Sequence, residues 1–309
     1  MAGAIDSGRH KSPNLYRMRT PPNVMPAVIT PFTASGELNE AAHLHNLATL
    51  QARGCQGFLI AGSTGEGPYL EPGERKWLLA AARSELGSDP FLLGGVSGES
   101  VRQALTQISE AADGGADAVL VITPTSMARG NHAAVVQYYL DVATASPLPV
   151  YLYSVPRVTG YEIPVDAVVT LAAHPNILGM KDSGARPIRI KDIASSLDDL
   201  FLMFAGASIA LAPSMAAGGY GAINASGNYA SELIAKIVAA SAVLQADAEV
   251  HQRRLTAIVK EVEAFGLPGT KAAANARGLH AGFPRRPLLP VSPEDAAFVA
   301  EVVAGLGVS

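Results

Sequence analysis

Short apolar runs alternate with longer amphipathic stretches along most of the chain. The short runs lie at residues 24–30, 57–61, 91–96, 118–122, 150–153, 177–181, 201–205 and 219–223. Some of them, such as 118–122, are apolar throughout, which is typical of parallel strands covered on both faces. Stretches with helical spacing lie between them at 40–53, 73–86, 101–113, 132–145, 165–173, 187–195 and 209–217. This succession of eight strands and intervening helices predicts an α/β fold, a (β/α)8 TIM barrel, with an open doubly wound sheet as the alternative.

Three regions follow from this pattern. We expect an N-terminal tail at residues 1–22, a catalytic barrel at 23–229 and a C-terminal helical region at 230–309. The tail is basic and lacks the apolar segment of a secretory signal. We interpret it as a loosely docked extension of a cytoplasmic protein, and a transit peptide for the mitochondrial matrix is the alternative. The first strand is followed by no G-x-G-x-x-G motif, which favours the barrel over a dinucleotide-binding sheet.

The composition excludes several classes of function. The 309 residues are 49% hydrophobic and 16% charged, with a net charge of −4. No run of Lys and Arg is long enough to follow a phosphate backbone, so we expect no nucleic acid partner. No apolar stretch is long enough to span a bilayer, so we expect no membrane partner. The single cysteine, Cys55, excludes an internal disulfide framework and a cysteine-based zinc site.

Two reactive side chains end neighbouring predicted strands. Lys181 is the only lysine that closes a strand, and Tyr153 closes the strand before it. Residues at the carboxyl ends of barrel strands are the candidates for catalysis. A desolvated amine is a nucleophile, and a nearby phenol can donate protons to its reaction and accept them from it. Gly179 shares the face of Lys181 and leaves room beneath it. The alternatives are a lysine at the barrel rim or paired with Asp182, and an ordinary buried tyrosine.

A glycine-rich turn, GSTGE at residues 62–66, follows the second predicted strand. Its clustered backbone N–H groups and two hydroxyls suit an anion. Because the turn lacks the lysine of a P-loop, a carboxylate is favoured over a nucleotide phosphate, and a plain strand-to-helix turn is the alternative. We expect Glu66 to brace this turn.

Metal chemistry is poorly supported by the sequence. No histidine ends a predicted strand, and His43 and His45, two residues apart on a helix, point to different faces. We therefore interpret the histidines as surface groups and expect no metal site. A serine hydrolase is equally unsupported, because no G-x-S-x-G motif is present.

Three motifs together resemble the dihydrodipicolinate synthase / N-acetylneuraminate lyase family. They are GSTGE at 62–66, YSVP at 153–156 followed by TG at 159–160, and GMKDS at 179–183. The resemblance covers nearly the whole chain beyond the tail. It implies a (β/α)8 lyase that forms a Schiff base with pyruvate or a related 2-oxo acid, acts with an aldehyde, needs no metal or organic cofactor, and is a homo-oligomer, either a tetramer or a dimer.

The resemblance also implies roles for individual residues. Lys181 would form the imine, Tyr153 would be the general acid and base, and Ser63 would belong to the proton relay as well as to the carboxylate site. The remaining implied substrate-binding residues are Gly62, Thr64, Ser183, Gly206 and Ile223. Within the family, the motifs around Tyr153 and Lys181 are most similar to those of 4-hydroxy-2-oxoglutarate aldolases, which release pyruvate and glyoxylate.

Two positions depart from the family pattern. The family usually has a Tyr-Tyr pair after the Thr-Pro of the fourth strand, and the second tyrosine completes a hydroxyl relay in a neighbouring subunit. Here Thr-Pro at 123–124 is followed by Thr125, Ser126 and Met127, so the relay tyrosine is absent. Either Ser126 replaces it weakly or the reaction does not need it. The synthases place an arginine where this chain has Val158, while Arg157 lies one residue earlier, which weakens the synthase interpretation.

The leading hypothesis is therefore a pyruvate-type aldolase. On the same scaffold, the alternatives are 4-hydroxy-tetrahydrodipicolinate synthase and a sugar-acid aldolase or dehydratase. From other classes, the alternatives are a non-catalytic 2-oxo-acid-binding barrel and a metal-dependent lyase.

Overall fold

The computed structural model describes residues 19–243 and 245–306. Its eight strands are β1 (Val24–Pro26), β2 (Gly57–Ile60), β3 (Phe91–Val96), β4 (Ala118–Ile122), β5 (Val150–Ser154), β6 (Ile177–Asp182), β7 (Leu202–Ala205) and β8 (Gly221–Asn224). They form one parallel sheet in the order β1-β8-β7-β6-β5-β4-β3-β2. The predicted (β/α)8 barrel is therefore confirmed. The expected tail at 1–22 lies outside the described residues as far as residue 18.

Helices follow the strands and cover the outside of the sheet. They are α1 (Glu40–Ala52), α2 (Glu74–Leu86), α3 (Val101–Asp113), α4 (His132–Ala145), α5 (Pro156–Thr159), α6 (Val165–Ala172), α7 (Pro187–Ala194), α8 (Leu211–Ala216), α9 (Gly227–Ser241), α10 (Gln245–Glu263), α11 (Gly266–Ala276) and α12 (Pro293–Ala304). Several begin at a side-chain cap that satisfies a free N–H of the first turn. Asn39 caps α1, Ser100 caps α3, Asn131 caps α4 and Ser292 caps α12.

The barrel closes between β1 and β2 through a short contact. Ala27 pairs with Leu59 as an isolated parallel bridge, and the Val28 N–H donates to the Leu59 carbonyl at 2.9 Å. The first strand is shorter than the predicted 24–30, because beyond this point the Ile29 N–H donates to the Asn228 side chain at 3.1 Å and not to a strand. The ring of strands is nevertheless complete.

Side chains alternate between the inside and the outside of the barrel. Tyr151 and Tyr153 both belong to the inner apolar layer, as the alternation predicted, and the layer also contains Met25, Leu59, Phe91, Leu93, Leu120, Phe204 and Ile223. The opposite faces of the strands pack under the helices. Since this inner layer fills the barrel, the open space for a ligand lies at the strand ends.

The C-terminal helices form a second apolar core against one side of the barrel. Most of its buried residues come from α8 to α12, and they include Leu211, Tyr229, Leu233, Ile237, Leu255, Val259, Val299 and Val303. The expected boundary between residues 229 and 230 falls inside α9, where Ala230 has a non-helical φ of −136°. None of the helices in the described part of the chain combines the length and apolar character needed to cross a bilayer.

Candidate active site

Lys181 and Tyr153 face each other at the carboxyl ends of β6 and β5. They are direct partners in the parallel register, and the Lys181 Nζ lies 4.3 Å from the centroid of the Tyr153 ring. Lys181 is only 4% exposed. The room expected beneath the amine at Gly179 is filled, because the Tyr151 ring lies 2.9 Å from the point where a Cβ would be. The amine is therefore packed against side chains toward the inside of the barrel and lines the cleft on its other side.

The Tyr153 hydroxyl is the meeting point of three other polar groups. Burial by itself raises the pKa of this phenol, but the charge of Lys181 and hydrogen bonds with Ser183, Lys181 and Ser63 together lower it below its usual value of 10. The phenol is thus poised to exchange a proton near the amine. Tyr153 thus interacts with three other residues of the predicted site, and the four residues come from three different sequence motifs.

Gly206 lies directly against the amine and must be a glycine. A Cβ at this position would lie 2.0 Å from the Ser183 Oγ and 2.8 Å from the Lys181 Cε. The Gly206 N–H donates to the Asp182 carbonyl at 2.7 Å, which holds the β7 end against the β6 end. Any larger residue would displace the hydroxyl or the amine.

The turn at residues 62–66 is held in an unusual backbone conformation. Ala61 and Glu66 both have positive φ values, of 59° and 56°, a region that costs free energy for residues other than glycine. A Cβ at Gly67 would lie 2.0 Å from the Ala61 carbonyl oxygen, so the two ends of this turn are in close backbone contact and position 67 has no room for a side chain. Among the described residues, the N–H groups of Ser63 and Thr64 have no hydrogen-bond acceptor. They remain free for an anion.

Buried charged side chains hold this turn in place on the side away from the cleft. The sequence analysis predicted the role of Glu66 but not its partners. Glu66 is 2% exposed and forms an ion pair with Lys271 of α11, which confirms that Glu66 braces the turn. Arg75 of α2 donates to the carbonyls of Gly67 and Gly95 at 3.2 and 2.8 Å. Lys271 was missed because its helical spacing gives no sign of a buried partner.

A cleft of about 470 Å³ opens above these groups. Six of the predicted site residues line it: Ser63, Thr64, Tyr153, Lys181, Ser183 and Gly206. Gly62 lines a smaller neighbouring cavity behind Ser63. Ile223 is fully buried in the inner layer and does not line the cleft. The cleft wall also includes Glu263 and Thr270, which sequence reasoning missed because they come from the C-terminal helices.

The interpretation of all histidines as surface groups is wrong for His43. It is 1% exposed and lies on the buried face of α1, where its Nε2 is 3.1 Å from the Leu78 carbonyl oxygen. Burial lowers its pKa to about 4. In the described part of the chain, no three His, Cys, Asp or Glu side chains are grouped so that they could hold a metal ion.

Residues 20–305 match the family described as the dihydrodipicolinate synthetase family. The chain belongs to this family. It is 35% identical over 266 residues to 4-hydroxy-tetrahydrodipicolinate synthase 1 of Streptomyces coelicolor, covering 85% of this chain and 86% of that relative. It is 31% identical to the 4-hydroxy-tetrahydrodipicolinate synthase of Methanosarcina mazei, covering 92% and 98%.

A solved structure of the family agrees with this assignment. The chain superposes with a TM-score of 0.85, at 26% identity, on the Escherichia coli prophage protein YagE in complex with pyruvate. The match covers 91% of this chain and 97% of YagE. The chain is therefore a lyase-type barrel of the dihydrodipicolinate synthetase family.

The loop after β4, where the family usually has tyrosines, is bonded to Glu99 of the loop after β3. The Glu99 carboxylate accepts hydrogen bonds from the N–H and hydroxyl groups of both Thr125 and Ser126, with the Ser126 hydroxyl at 2.7 Å. These bonds lower the pKa of Glu99 although partial burial opposes them. Ser126 does not line the cleft, so its hydroxyl is directed to Glu99 and away from Tyr153.

Arg157 and Val158 both line the cleft although they are adjacent in sequence. They lie on the short helix α5, where consecutive side chains are turned by about 100° and not by the half-turn of a strand. The one-residue shift from the family position therefore does not remove the arginine from the cleft. Across the cleft, burial raises the pKa of Glu263, and the charge of Arg157 partly offsets this.

Proposed function

We propose that this protein is a pyruvate-type aldolase that forms a Schiff base at Lys181. The observation that carries this proposal is that the Lys181 amine lies 4.3 Å from the centre of the Tyr153 ring and lines the same cleft as Ser63 and Thr64, whose N–H groups are free. An amine nucleophile, a proton carrier and a carboxylate site are the three parts that imine chemistry on a 2-oxo acid requires.

The reaction begins with the 2-oxo acid. Its carboxylate accepts hydrogen bonds from the N–H groups of Ser63 and Thr64, which directs the 2-oxo carbon toward the amine. Lys181 attacks this carbon, and loss of water gives an iminium that draws electrons from the neighbouring bond. No metal ion or organic cofactor takes part in this scheme.

Tyr153 serves the carbon–carbon step. In the cleavage direction, the phenolate accepts the proton of the C4 hydroxyl as the C3–C4 bond breaks, and the bonding electrons move into the iminium to give an enamine. The aldehyde leaves, the enamine is protonated at C3, and water releases pyruvate from Lys181. The lowered pKa of Tyr153 supports this role because it makes the phenolate easier to form than that of an ordinary tyrosine.

For the second substrate, we propose 4-hydroxy-2-oxoglutarate, which would give pyruvate and glyoxylate. Arg157 in the cleft wall supports an aldehyde that carries a carboxylate. The second candidate is 4-hydroxy-tetrahydrodipicolinate synthesis, which the names of the relatives favour. Turnover of 4-hydroxy-2-oxoglutarate, compared with turnover of pyruvate plus aspartate semialdehyde and with sugar-derived 2-oxo acids, separates these candidates.

A protein that binds pyruvate but turns over no aldehyde in this comparison would instead be a non-catalytic 2-oxo-acid-binding barrel. A metal-dependent lyase would lose activity in EDTA, and we expect no such loss. We also propose a cytoplasmic homo-oligomer, a tetramer or a dimer, since the family resemblance implies one. Light scattering after size exclusion measures the number of chains.

A further inference from the structure

The proton path of Tyr153 lacks its usual partner in this chain. The family's relay tyrosine is absent after Pro124, and the Ser126 hydroxyl of that loop donates to Glu99 at 2.7 Å and is exposed. A phenol that accepts a proton in the carbon–carbon step must pass it on before the next turnover. A hydroxyl that contacts both the phenol and the reacting carbon would complete this path within one chain.

Ser183 meets the first of these requirements. Its hydroxyl lines the same cleft as the Tyr153 phenol and interacts with that phenol, which helps to lower the pKa of Tyr153. The Ser183 N–H donates to the Ser154 carbonyl at 2.9 Å, so the backbone that carries this hydroxyl is fixed to the end of β5. Its position is therefore set by the strand that also carries Tyr153.

The Ser183 hydroxyl also lies close to the side chain of Lys181. The Ser183 Oγ and the Lys181 Cε lie 2.0 and 2.8 Å from the point where a Cβ of Gly206 would be. The two atoms are therefore close neighbours over the bare backbone of Gly206. An imine on Lys181 has its reactive C3 carbon within two bonds of Nζ, which brings this carbon near the same hydroxyl.

We propose that Ser183 is a catalytic hydroxyl that carries protons between Tyr153 and the enamine carbon within a single chain. This inference rests on the proposed Schiff-base chemistry at Lys181. It makes the relay independent of a tyrosine from a neighbouring subunit.

The step is balanced in protons and electrons. The π electrons of the enamine C2=C3 bond form a new C3–H bond with the Ser183 hydroxyl proton, and the nitrogen lone pair forms the C=N bond of the iminium. Ser183 takes the Tyr153 hydroxyl proton in return, so its own charge does not change. Tyr153 returns to the phenolate that accepts the next proton, and the reverse sequence removes a proton from C3 of bound pyruvate.

The other hydroxyl on Tyr153, that of Ser63, leads in a different direction. It borders the smaller cavity that also contains Ser97, whose buried Oγ has no hydrogen-bond partner among the described residues. If protons travel on this side, Ser97 belongs to the path. The two routes are therefore distinguished by substitution of Ser183 and of Ser97.

The test is the exchange of the pyruvate methyl protons in D2O, followed by proton NMR. This exchange requires the imine and protonation at C3, but no aldehyde. We expect Ser183→Ala to slow the exchange roughly 100-fold, in the range of a positioned proton-transfer group, and Ser183→Thr to retain most of the rate. We expect Ser97→Ala and Ser126→Ala to exchange like the wild type.

Borohydride trapping of the pyruvate imine is measured on the same variants. Ser183→Ala that still forms the trapped adduct and exchanges slowly supports the relay. Wild-type exchange in Ser183→Ala, or slow exchange in Ser97→Ala or Ser126→Ala instead, overturns it. Failure of the wild type to form any adduct contradicts the proposed Schiff-base function itself and is recognised separately.

Discussion

The Nζ of Lys271 lies 2.7 Å from the Oε1 of Glu66, and both side chains are almost completely buried. The same Nζ donates to the carbonyls of Thr30 and Phe283 at 2.8 and 2.6 Å. The other Glu66 oxygen accepts from the Arg285 N–H at 2.7 Å. One buried ion pair thus joins helix α11 to the turn that presents Ser63 and Thr64.

Removal of one partner of this pair should be costly. A buried charge left without its partner costs about 3–5 kcal/mol, so we expect Lys271→Met to lower the free energy of unfolding by about this amount. Burial lowers the pKa of Lys271 while Glu66 raises it again, so the two charges depend on each other. Urea denaturation followed by circular dichroism measures the loss.

The control for this prediction is Lys76→Met. Lys76 pairs with Asp113 at 3.1 Å, but both side chains are more than half exposed, and such pairs contribute at most about 1 kcal/mol. Equal losses in the two variants would show that the buried pair does not stabilise the turn.

Gly206→Ala should disable the amine. The new Cβ would lie 2.0 Å from the Ser183 Oγ, so either the hydroxyl or Lys181 must move. We expect less than about one tenth of the wild-type rate of imine trapping, because small misplacements of a reacting group cost this much or more. Gly305→Ala is the matched control, since Gly305 has a helical φ of −59° and lies far along the chain. A Gly206→Ala protein that forms the imine normally would disprove the tight fit.

Arg157→Met tests the wall of the cleft. If Arg157 holds the carboxylate of the second substrate, its loss should raise KM for 4-hydroxy-2-oxoglutarate about tenfold, which matches one charge-assisted hydrogen bond. Exchange of pyruvate protons should not change. Arg186→Met removes an exposed arginine that pairs with Glu162 and does not line the cleft, and it should leave both measurements unchanged. An unaltered KM in Arg157→Met would assign the carboxylate to another group.

His43 should make stability depend on pH. Burial lowers its pKa from 6.5 to about 4 in the folded chain, so between these values the unfolded chain binds a proton that the folded chain does not. Stability from the neutral imidazole is therefore complete above pH 6.5 and decreases as the pH falls toward 4, by about 3 kcal/mol in total.

His43→Gln isolates this contribution, because it retains a donor for the Leu78 carbonyl and does not titrate. We expect the unfolding free energy of the wild type to fall more steeply between pH 6.5 and 4 than that of His43→Gln. Parallel curves would mean that the buried imidazole is not neutral in the folded chain.

The barrel could be predicted from the sequence because parallel strands that are covered on both faces are apolar on both faces. The Lys181 and Tyr153 pair was readable because a reactive side chain at a strand end has few structural explanations. Lys271 and His43 were not readable, since each lies on a helix whose spacing does not reveal a buried polar partner. Glu263 was missed because it reaches the cleft through tertiary packing of the C-terminal helices, far along the chain from the catalytic strands.

The most direct test of the proposed chemistry is to trap pyruvate on the protein with borohydride and to locate the added mass by peptide analysis. We predict one adduct per chain, on Lys181, and none in Lys181→Arg. Lys271, the other lysine that is buried among residues 19–243 and 245–306, is the internal comparison. An adduct on Lys271 or on any other lysine, or no adduct at all, would contradict the assignment of Lys181 as the nucleophile.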